Sequence, residues 1–135
     1  MADVRVALIG SGRMGAFHGE TLARRIPGVR LAAVADPAPG AAERLAAELG
    51  ADTAYTDAAA AFASPEVDAV VIAAPARFHA DLVVAAATAG KAVFCEKPMG
   101  LQLAGPIHSD LDVLRLGNAY DQACGWAAHR PPALG

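Results

Sequence analysis

The stretch that decides the fold is residues 4–15, which read Val-Arg-Val-Ala-Leu-Ile-Gly-Ser-Gly-Arg-Met-Gly. The apolar run Val4–Ile9 predicts a strand, and it leads directly into the glycine pattern of Gly10, Gly12 and Gly15. A helix predicted over residues 16–26 follows at once. Strand, glycine turn and helix in this order are typical of a nucleotide-binding unit. Its glycines permit a tight turn, a close backbone approach to a pyrophosphate and close helix–strand packing.

Beyond this unit, short apolar runs alternate with helix-forming segments. Further strands are predicted at residues 29–35, 67–74 and 92–95. Further helices are predicted at residues 41–49 with Gly50 as a C-terminal cap, around 56–62 with Thr56 as N-cap, and at 78–89. Continuous apolar strands that alternate with helices are typical of parallel strands buried on both faces. The predicted fold class is therefore α/β, a Rossmann-type doubly wound parallel sheet.

The last part of the chain has a different pattern. Gly105-Pro106 interrupts the helix expected after the last strand, and residues 104–135 show no sustained period of 2 or 3.6. We therefore predict a dinucleotide-binding domain at residues 1–103 and a divergent, poorly structured tail at 104–135. The tail is either a frame-shifted or truncated continuation, a remnant of a second domain after a deletion, or a genuine tail.

An acidic residue stands where a dinucleotide site needs one. Asp36 ends the second predicted strand, and a carboxylate there accepts hydrogen bonds from an adenosine ribose diol while repelling a 2′-phosphate. No Lys or Arg follows closely, since the next residues are Pro37, Ala38 and Pro39. The pattern favours NAD over NADP. A glycine-rich turn with a surface aspartate, or a methyltransferase-type nucleotide site, remains open on this motif alone.

Composition narrows the function classes. The chain has 135 residues, is 55% hydrophobic and carries a net charge of −3, so it is expected to bury a core and has no basic excess for nucleic acid. Its apolar runs are far short of the roughly 20 residues of a membrane span. The two cysteines, Cys95 and Cys124, fit neither a disulfide framework nor a metal site, and no leader is recognised, so we expect a reduced, cytoplasmic protein with no metal.

Four segments together resemble the Gfo/Idh/MocA oxidoreductase family, and its inositol dehydrogenase branch in particular. They are residues 9–15, 34–36, 71–79 and 93–98. Dihydrodipicolinate reductases carry a similar glycine turn, and the Glu96-Lys97-Pro98 signature separates the two. The resemblance spans residues 3–103.

The resemblance implies a set of cofactor-binding positions. They are Gly10, Ser11, Gly12, Arg13, Met14, Gly15, Asp36, Ala74, Pro75, His79, Glu96 and Lys97. By the resemblance, Ala74-Pro75 and His79 line the nicotinamide half, although Pro75 can also be read as a strand terminator and His79 as a helix N-terminal residue. Glu96 matches a position near the nicotinamide ribose.

Lys97 also matches the family lysine that contacts the substrate hydroxyl. The placement makes chemical sense, because a cation beyond the end of a strand can stabilise the alkoxide that develops as hydride leaves a secondary alcohol. Such a reaction also needs a proton acceptor, which the family supplies from a histidine in a second, substrate-binding domain. His108, in a tail segment that faintly resembles that motif, is the candidate here; an exposed tail histidine is the alternative.

The leading functional prediction is the NAD-binding domain of a dehydrogenase that transfers hydride from a polyol or sugar, inositol-like in class. We expect this chain to lack most of the substrate domain and to turn over poorly alone, with homo-oligomers expected only for a full-length form. The alternative is a non-catalytic dinucleotide-binding or interaction module.

Overall fold

The computed structural model describes residues 2–97, 100–104 and 118–119 of the chain. The strands are β1 (Val4–Ile9), β2 (Val29–Ala35), β3 (Thr53–Tyr55), β4 (Ala69–Ile72), β5 (Ala92–Lys97) and β6 (Gly100–Ala104). The helices are α1 (Arg13–Arg24), α2 (Ala41–Leu49), α3 (Ala58–Ala63) and α4 (His79–Thr88), with a 3-10 turn at Ala76–Phe78 before α4.

The strands form one six-stranded sheet in the order β3-β2-β1-β4-β5-β6. Strands β1 to β5 run parallel, and β6 pairs antiparallel with β5. The predicted doubly wound Rossmann-type fold is confirmed. Strand order reverses between β1 and β4, and in open sheets of this kind ligands bind at that reversal, beyond the carboxyl ends of the strands.

Both faces of the sheet are buried, as the continuous apolar strands predict. Val6 and Leu8 of β1 pack on the face covered by α1 and α2, and Ala7 and Ile9 pack on the face covered by α3 and α4. All four are at most 3% exposed. Because successive side chains of a strand point to opposite faces of the sheet, β1 contributes to both hydrophobic cores.

Several predicted boundaries change. Helix α1 begins at Arg13, directly after the glycine turn, rather than at residue 16. Thr56 is not the N-cap of α3: Asp57 occupies that place, and its side chain accepts a hydrogen bond from the Ala59 N–H at 2.9 Å. Helix α2 and its Gly50 cap lie where predicted, with Gly50 at φ +75°.

Two strands were not predicted. Strand β3 has only three residues. Strand β6 was not predicted because it pairs antiparallel with β5, whereas the sequence pattern indicated only parallel strands separated by helices. The predicted tail, including His108 and Cys124, lies outside the described residues, apart from Ala104 in β6 and residues 118–119. Within the described parts of the chain, no helix is long and apolar enough to cross a membrane.

Candidate dinucleotide-binding site

Two of the three motif glycines are required by the fold itself. Gly10 has φ +100°, and a Cβ there would lie 2.8 Å from the Ala73 carbonyl group and the Ala74 nitrogen. A Cβ on Gly15 would lie 2.1 Å from the carbonyl oxygen of Gly10. Such distances are too short for any side chain, so these glycines let the turn pass between β1, β4 and the first turn of α1.

The third glycine is different, because the space beside it is open. Gly12 is the N-cap of α1 in an extended conformation, and a Cβ there would meet no atom within 4 Å. The backbone N–H groups of a first helical turn lack partners within their helix and attract anions. The fold itself does not require Gly12 to be a glycine, and the helix N-terminus beside it is open.

Asp36 lies directly after β2, and its carboxylate is held in place by hydrogen bonds. Ser11 donates its backbone N–H at 2.8 Å and its hydroxyl at 2.7 Å to Oδ2, and the Ala38 N–H donates at 2.8 Å to Oδ1. Partial burial alone would raise the pKa of Asp36, but the hydrogen bonds from Ala38 and Ser11 bring the pKa below its ordinary value. The group is an oriented carboxylate at neutral pH, with lone pairs left to accept from a diol.

A cleft of about 870 Å³ joins these features along the carboxyl ends of the strands. It lies over the β1–β4 reversal, and its walls come from the segments that follow β1 to β4 and from β5. The lining residues that matter for the predicted site are Gly10, Gly12, Arg13, Met14, Asp36, Ala74, Pro75 and Glu96. The structure therefore brings eight of the predicted cofactor positions to one cleft.

The remaining predicted positions fall around the cleft or outside the described side chains. Ser11 acts through Asp36, and Gly15 packs beneath the turn. Lys97 is the last residue of β5, where its backbone pairs with Gly100; its side chain is outside the described part, as is the whole of His108.

His79 has a structural contact that the sequence did not predict. It is the first residue of α4, and its Nε2 lies 2.6 Å from the Ala74 carbonyl oxygen. This contact closes the turn that carries Pro75 after β4. The imidazole thereby fixes the loop that lines the cleft.

Sequence reasoning missed other cleft residues. Arg77 and Phe78 line it together, with the guanidinium 4.5 Å from the centre of the Phe78 ring, and Phe78 is 45% exposed. Thr56 and Asp57 line the end near Asp36. The sequence signal for this part of the cleft was Phe78, an aromatic residue shortly after Pro75, the proline predicted to end the strand.

His18 was also missed. It lies in α1 on the buried stripe that includes Gly15, Gly19 and Leu22, and its Nε2 is 3.8 Å from Oε1 of Glu96. The i, i+3, i+4, i+7 spacing of that stripe was the signal for its burial. The contact with Glu96 joins two segments that are distant in sequence, so no local sequence pattern predicts it.

A doubly wound sheet, an open glycine turn at a helix N-terminus and an oriented carboxylate after β2 define a dinucleotide-binding domain of the Rossmann class. The model of the GFO_IDH_MocA family, described as an oxidoreductase family with an NAD-binding Rossmann fold, matches residues 4–106. The chain belongs to this family, and the described cleft is in its NAD-binding domain.

Similar curated proteins are inositol dehydrogenases. The chain is 41% identical over 101 residues to scyllo-inositol 2-dehydrogenase (NAD(+)) of Bacillus subtilis, and the aligned region covers 75% of this chain and 30% of that protein. It is 46% identical over 98 residues to an inositol 2-dehydrogenase of Rhizobium meliloti, covering 73% of this chain and 29% of that protein. The chain thus spans about 30% of the length of these relatives.

Solved structures agree with the fold. Scyllo-inositol dehydrogenase from Lactobacillus casei with NAD(H) and scyllo-inositol matches with a TM-score of 0.68 and 27% identity, over 94% of this chain and 34% of that one. Myo-inositol dehydrogenase from the same organism, with NAD(H) and myo-inositol, matches with a TM-score of 0.68 and 30% identity, over 73% of this chain and 29% of that one.

Proposed function

We propose that this chain binds NAD in the cleft at the β1–β4 reversal and acts as the cofactor half of a dehydrogenase for a secondary alcohol of an inositol-like polyol or sugar. The matched relatives are named as inositol dehydrogenases, and the two solved neighbours contain NAD(H). The family model matches residues 4–106, a range that includes every residue lining the cleft.

The observation that carries the proposal is the orientation of Asp36. Both of its oxygens accept hydrogen bonds from Ser11 or Ala38, so the carboxylate is fixed beside the open Gly12 before any ligand arrives. A fixed acceptor that loses little side-chain freedom on binding holds a ribose diol more tightly than a mobile one. Its negative charge opposes a 2′-phosphate, which favours NAD over NADP.

The rest of the cleft would receive the other parts of the dinucleotide. The N-terminus of α1 after Gly12 binds the pyrophosphate, and Arg13 at this end adds positive charge. Ala74 and Pro75 form the wall after β4, and the Glu96 carboxylate lies at the β5 side, where it can accept from hydroxyl groups. NAD, when bound, supplies the hydride acceptor.

We assign Lys97 the role of stabilising the substrate oxygen. It is the last residue of β5 and directly follows Glu96, which lines the cleft. A lysine ammonium group near the substrate would lower the energy of a developing alkoxide and leave proton removal to a separate base. His108 is the candidate base within this chain.

Calorimetric titration with NAD tests the binding proposal. Wild type is expected to bind NAD, and Gly12→Val is expected to lose binding by about 100-fold, because a branched side chain then fills the space for the pyrophosphate. Gly12 has an extended backbone that valine adopts, so the variant should fold. Equal heats for the two proteins would contradict the proposal.

Turnover assays with NAD and inositol or glucose separate the dehydrogenase from a non-catalytic dinucleotide-binding module. We expect the 135-residue chain alone to turn over poorly, and a Lys97→Met variant to lose a larger fraction of its turnover than of its NAD affinity, because Lys97 is also one of the predicted cofactor positions. Turnover that survives Lys97→Met unchanged would overturn the role assigned to Lys97.

The proposed partners and compartment follow from charge and cysteine content. A net charge of −3 favours small-molecule ligands over nucleic acid, and two cysteines without a disulfide framework suit the reducing cytoplasm. Homo-oligomers are proposed only for a full-length form. A filter-binding comparison of DNA and NAD would detect an unexpected nucleic-acid affinity.

A further inference from the structure

His18 is a buried histidine at the ligand end of the sheet. It lies in the second turn of α1, is 3% exposed, and its ring meets that of Phe17 edge-on with centres 5.4 Å apart. The helix that carries it is the one whose N-terminus begins at Gly12. His18 and the glycine turn are therefore joined by one helix.

The partner of His18 lies on another element of the site. Its Nε2 is 3.8 Å from Oε1 of Glu96, whose side chain is 18% exposed and lines the cleft. Glu96 belongs to β5 and is followed directly by Lys97, the last residue of that strand. One contact between two side chains thus connects the helix of the phosphate turn with the opposite end of the cleft.

The electrostatics of the pair suit a fixed carboxylate beside a neutral ring. Burial lowers the pKa of His18 below its ordinary value, although the nearby Glu96 carboxylate acts to raise it. The imidazole is neutral at pH 7, so one of its nitrogens carries a hydrogen and the other accepts. A neutral ring fills the space behind Glu96 at less desolvation cost than a second buried charge.

We propose that His18 is a positioning residue: it holds the Glu96 carboxylate at the β5 side of the cleft, so that this carboxylate meets the part of the dinucleotide furthest from Asp36. The inference rests on the proposed function, because it needs a dinucleotide that spans the cleft. It assigns His18 no direct contact with the ligand.

The geometry separates the two carboxylates of the cleft. Asp36 is oriented by Ser11 and Ala38 at the β2 side, independently of His18, whereas Glu96 faces His18 at the β5 side. ADP contains only the adenosine and the two phosphates of NAD. A ligand confined to the Asp36 side should therefore be insensitive to His18, and one that reaches Glu96 should be sensitive to it.

The experiment compares NAD and ADP binding to the full chain by calorimetry, in wild type, His18→Phe, Glu96→Gln and the double variant. We expect His18→Phe to weaken NAD about 10-fold and to change ADP by less than about 2-fold, with Glu96→Gln acting alike and the double variant adding little. Non-additivity of this kind reports direct coupling between the two side chains.

Thr21→Val is the matched control, because Thr21 is 2% exposed on the same helix and its hydroxyl contacts the Phe17 carbonyl oxygen. It should leave the ratio of NAD to ADP affinity unchanged. If His18→Phe does not fold, His18→Leu, which fills part of the buried space without a hydrogen-bonding group, is judged by the same ratio.

Each outcome decides a different question. If wild type binds neither ADP nor NAD, the proposed function fails. If wild type binds both and the His18 variant weakens both equally, or weakens neither, the positioning role is overturned while the proposed function stands. Additive effects of the His18 and Glu96 substitutions on NAD would also overturn it.

Discussion

The two ends of the sheet use charge in different ways. At the amino ends of the strands, charged residues satisfy one another: Arg5 holds Asp68 and Glu66, with nitrogen–oxygen distances of 3.0 and 2.7 Å, and Arg30 holds Asp52. At the carboxyl ends, Asp36 is held by neutral donors and Glu96 lies beside a neutral imidazole. A carboxylate with only neutral neighbours keeps its negative charge for a ligand, so the charged groups of the amino end pair with one another while those of the carboxyl end are left to bind.

The two lysines of the chain, Lys91 and Lys97, illustrate the same difference. Lys91, just before β5, donates from Nζ to the carbonyl oxygens of Ser64 and Val67 at 2.8 and 2.5 Å. Lys97, at the other end of the same strand, is the residue we assign to the substrate. Lys91 precedes β5 and Lys97 ends it, so two residues of one type lie at opposite ends of the same strand, one with a structural contact and one with a proposed role in chemistry.

The largest expected effect comes from a glycine at the carboxyl end that serves the fold. Gly15→Ala places a Cβ against the Gly10 carbonyl oxygen, both fixed by backbone, so we expect a loss of at least about 3 kcal/mol in the free energy of unfolding. Urea denaturation measures it. Gly12→Ala, whose Cβ enters open space, is the control and should stay near wild type. Similar losses for both variants would remove the distinction between the two glycines.

The next effect concerns Asp36 and tests whether the carboxyl end binds by charge. Asp36→Asn keeps an acceptor for Ser11 but removes the charge, so NAD affinity should fall by about 10-fold to 100-fold, while the preference against NADP weakens. Calorimetry with both dinucleotides measures this. Asp68→Asn, at the amino end, is the matched control and should leave both affinities unchanged. Loss of NAD binding in the control would break the comparison.

A smaller effect is expected from Lys91. Lys91→Met keeps the apolar stem and removes the hydrogen bonds to the two carbonyl oxygens, which should lower the free energy of unfolding by about 1–3 kcal/mol. The NAD affinity of the folded protein should not change, because Lys91 lies at the amino end. Chemical denaturation measures the free energy of unfolding and calorimetry measures the NAD affinity of the same sample. Lys91→Arg, which retains the charge, is the control.

The smallest effects are pH-dependent: His18 titrates in an upper pH range, whereas Asp68 and Asp36, whose pKa values are both lowered, titrate in a lower one. The lowered pKa of His18 means that the unfolded chain binds a proton more readily, so stability is complete above about pH 6.5 and falls as the pH drops below that value. The hydrogen bond from Arg5 lowers the pKa of Asp68, so its contribution is present above 3.8 and is lost only as the pH falls through its lower folded value.

The melting temperature, measured by thermal unfolding over this pH range, should therefore fall in two separate pH ranges, an upper and a lower window. His18→Gln should reduce the loss in the upper window and leave the lower one, and Asp68→Asn should reduce the loss in the lower window alone. A His18 variant with the same upper-window loss as wild type would show that another group titrates there.

The parts of the fold that sequence predicted are those with local signals. The run Val4–Ile9, the motif glycines and Asp36 each follow from residues that are neighbours along the chain, and the structure brings the glycine turn and Asp36 together as expected. The helix boundary at Arg13 was missed because the glycine turn itself contains the first helical residues. Strand β3 escaped because three residues carry too little periodicity to register.

The parts that sequence missed depend on contacts between distant segments. The contact of His18 with Glu96 joins α1 to β5, and the pairing of β6 with β5 depends on a chain reversal that no apolar pattern marks. Thr56 was predicted as the N-cap of α3, but Asp57 has the extended backbone and the side-chain hydrogen bond of the cap. The roles of Lys97 and His108 stay predictions.

The central claim is that the carboxyl end of the sheet binds NAD and the amino end does not. The most direct test is a titration of the isotopically labelled chain with NAD, followed by backbone amide NMR shifts. We predict saturable shifts at Gly10, Ser11, Gly12 and Asp36 and at the residues after β4, with Arg5, Arg30 and Lys91 unmoved. Shifts at those amino-end residues instead, or no saturable shifts at the glycine turn, would contradict the account.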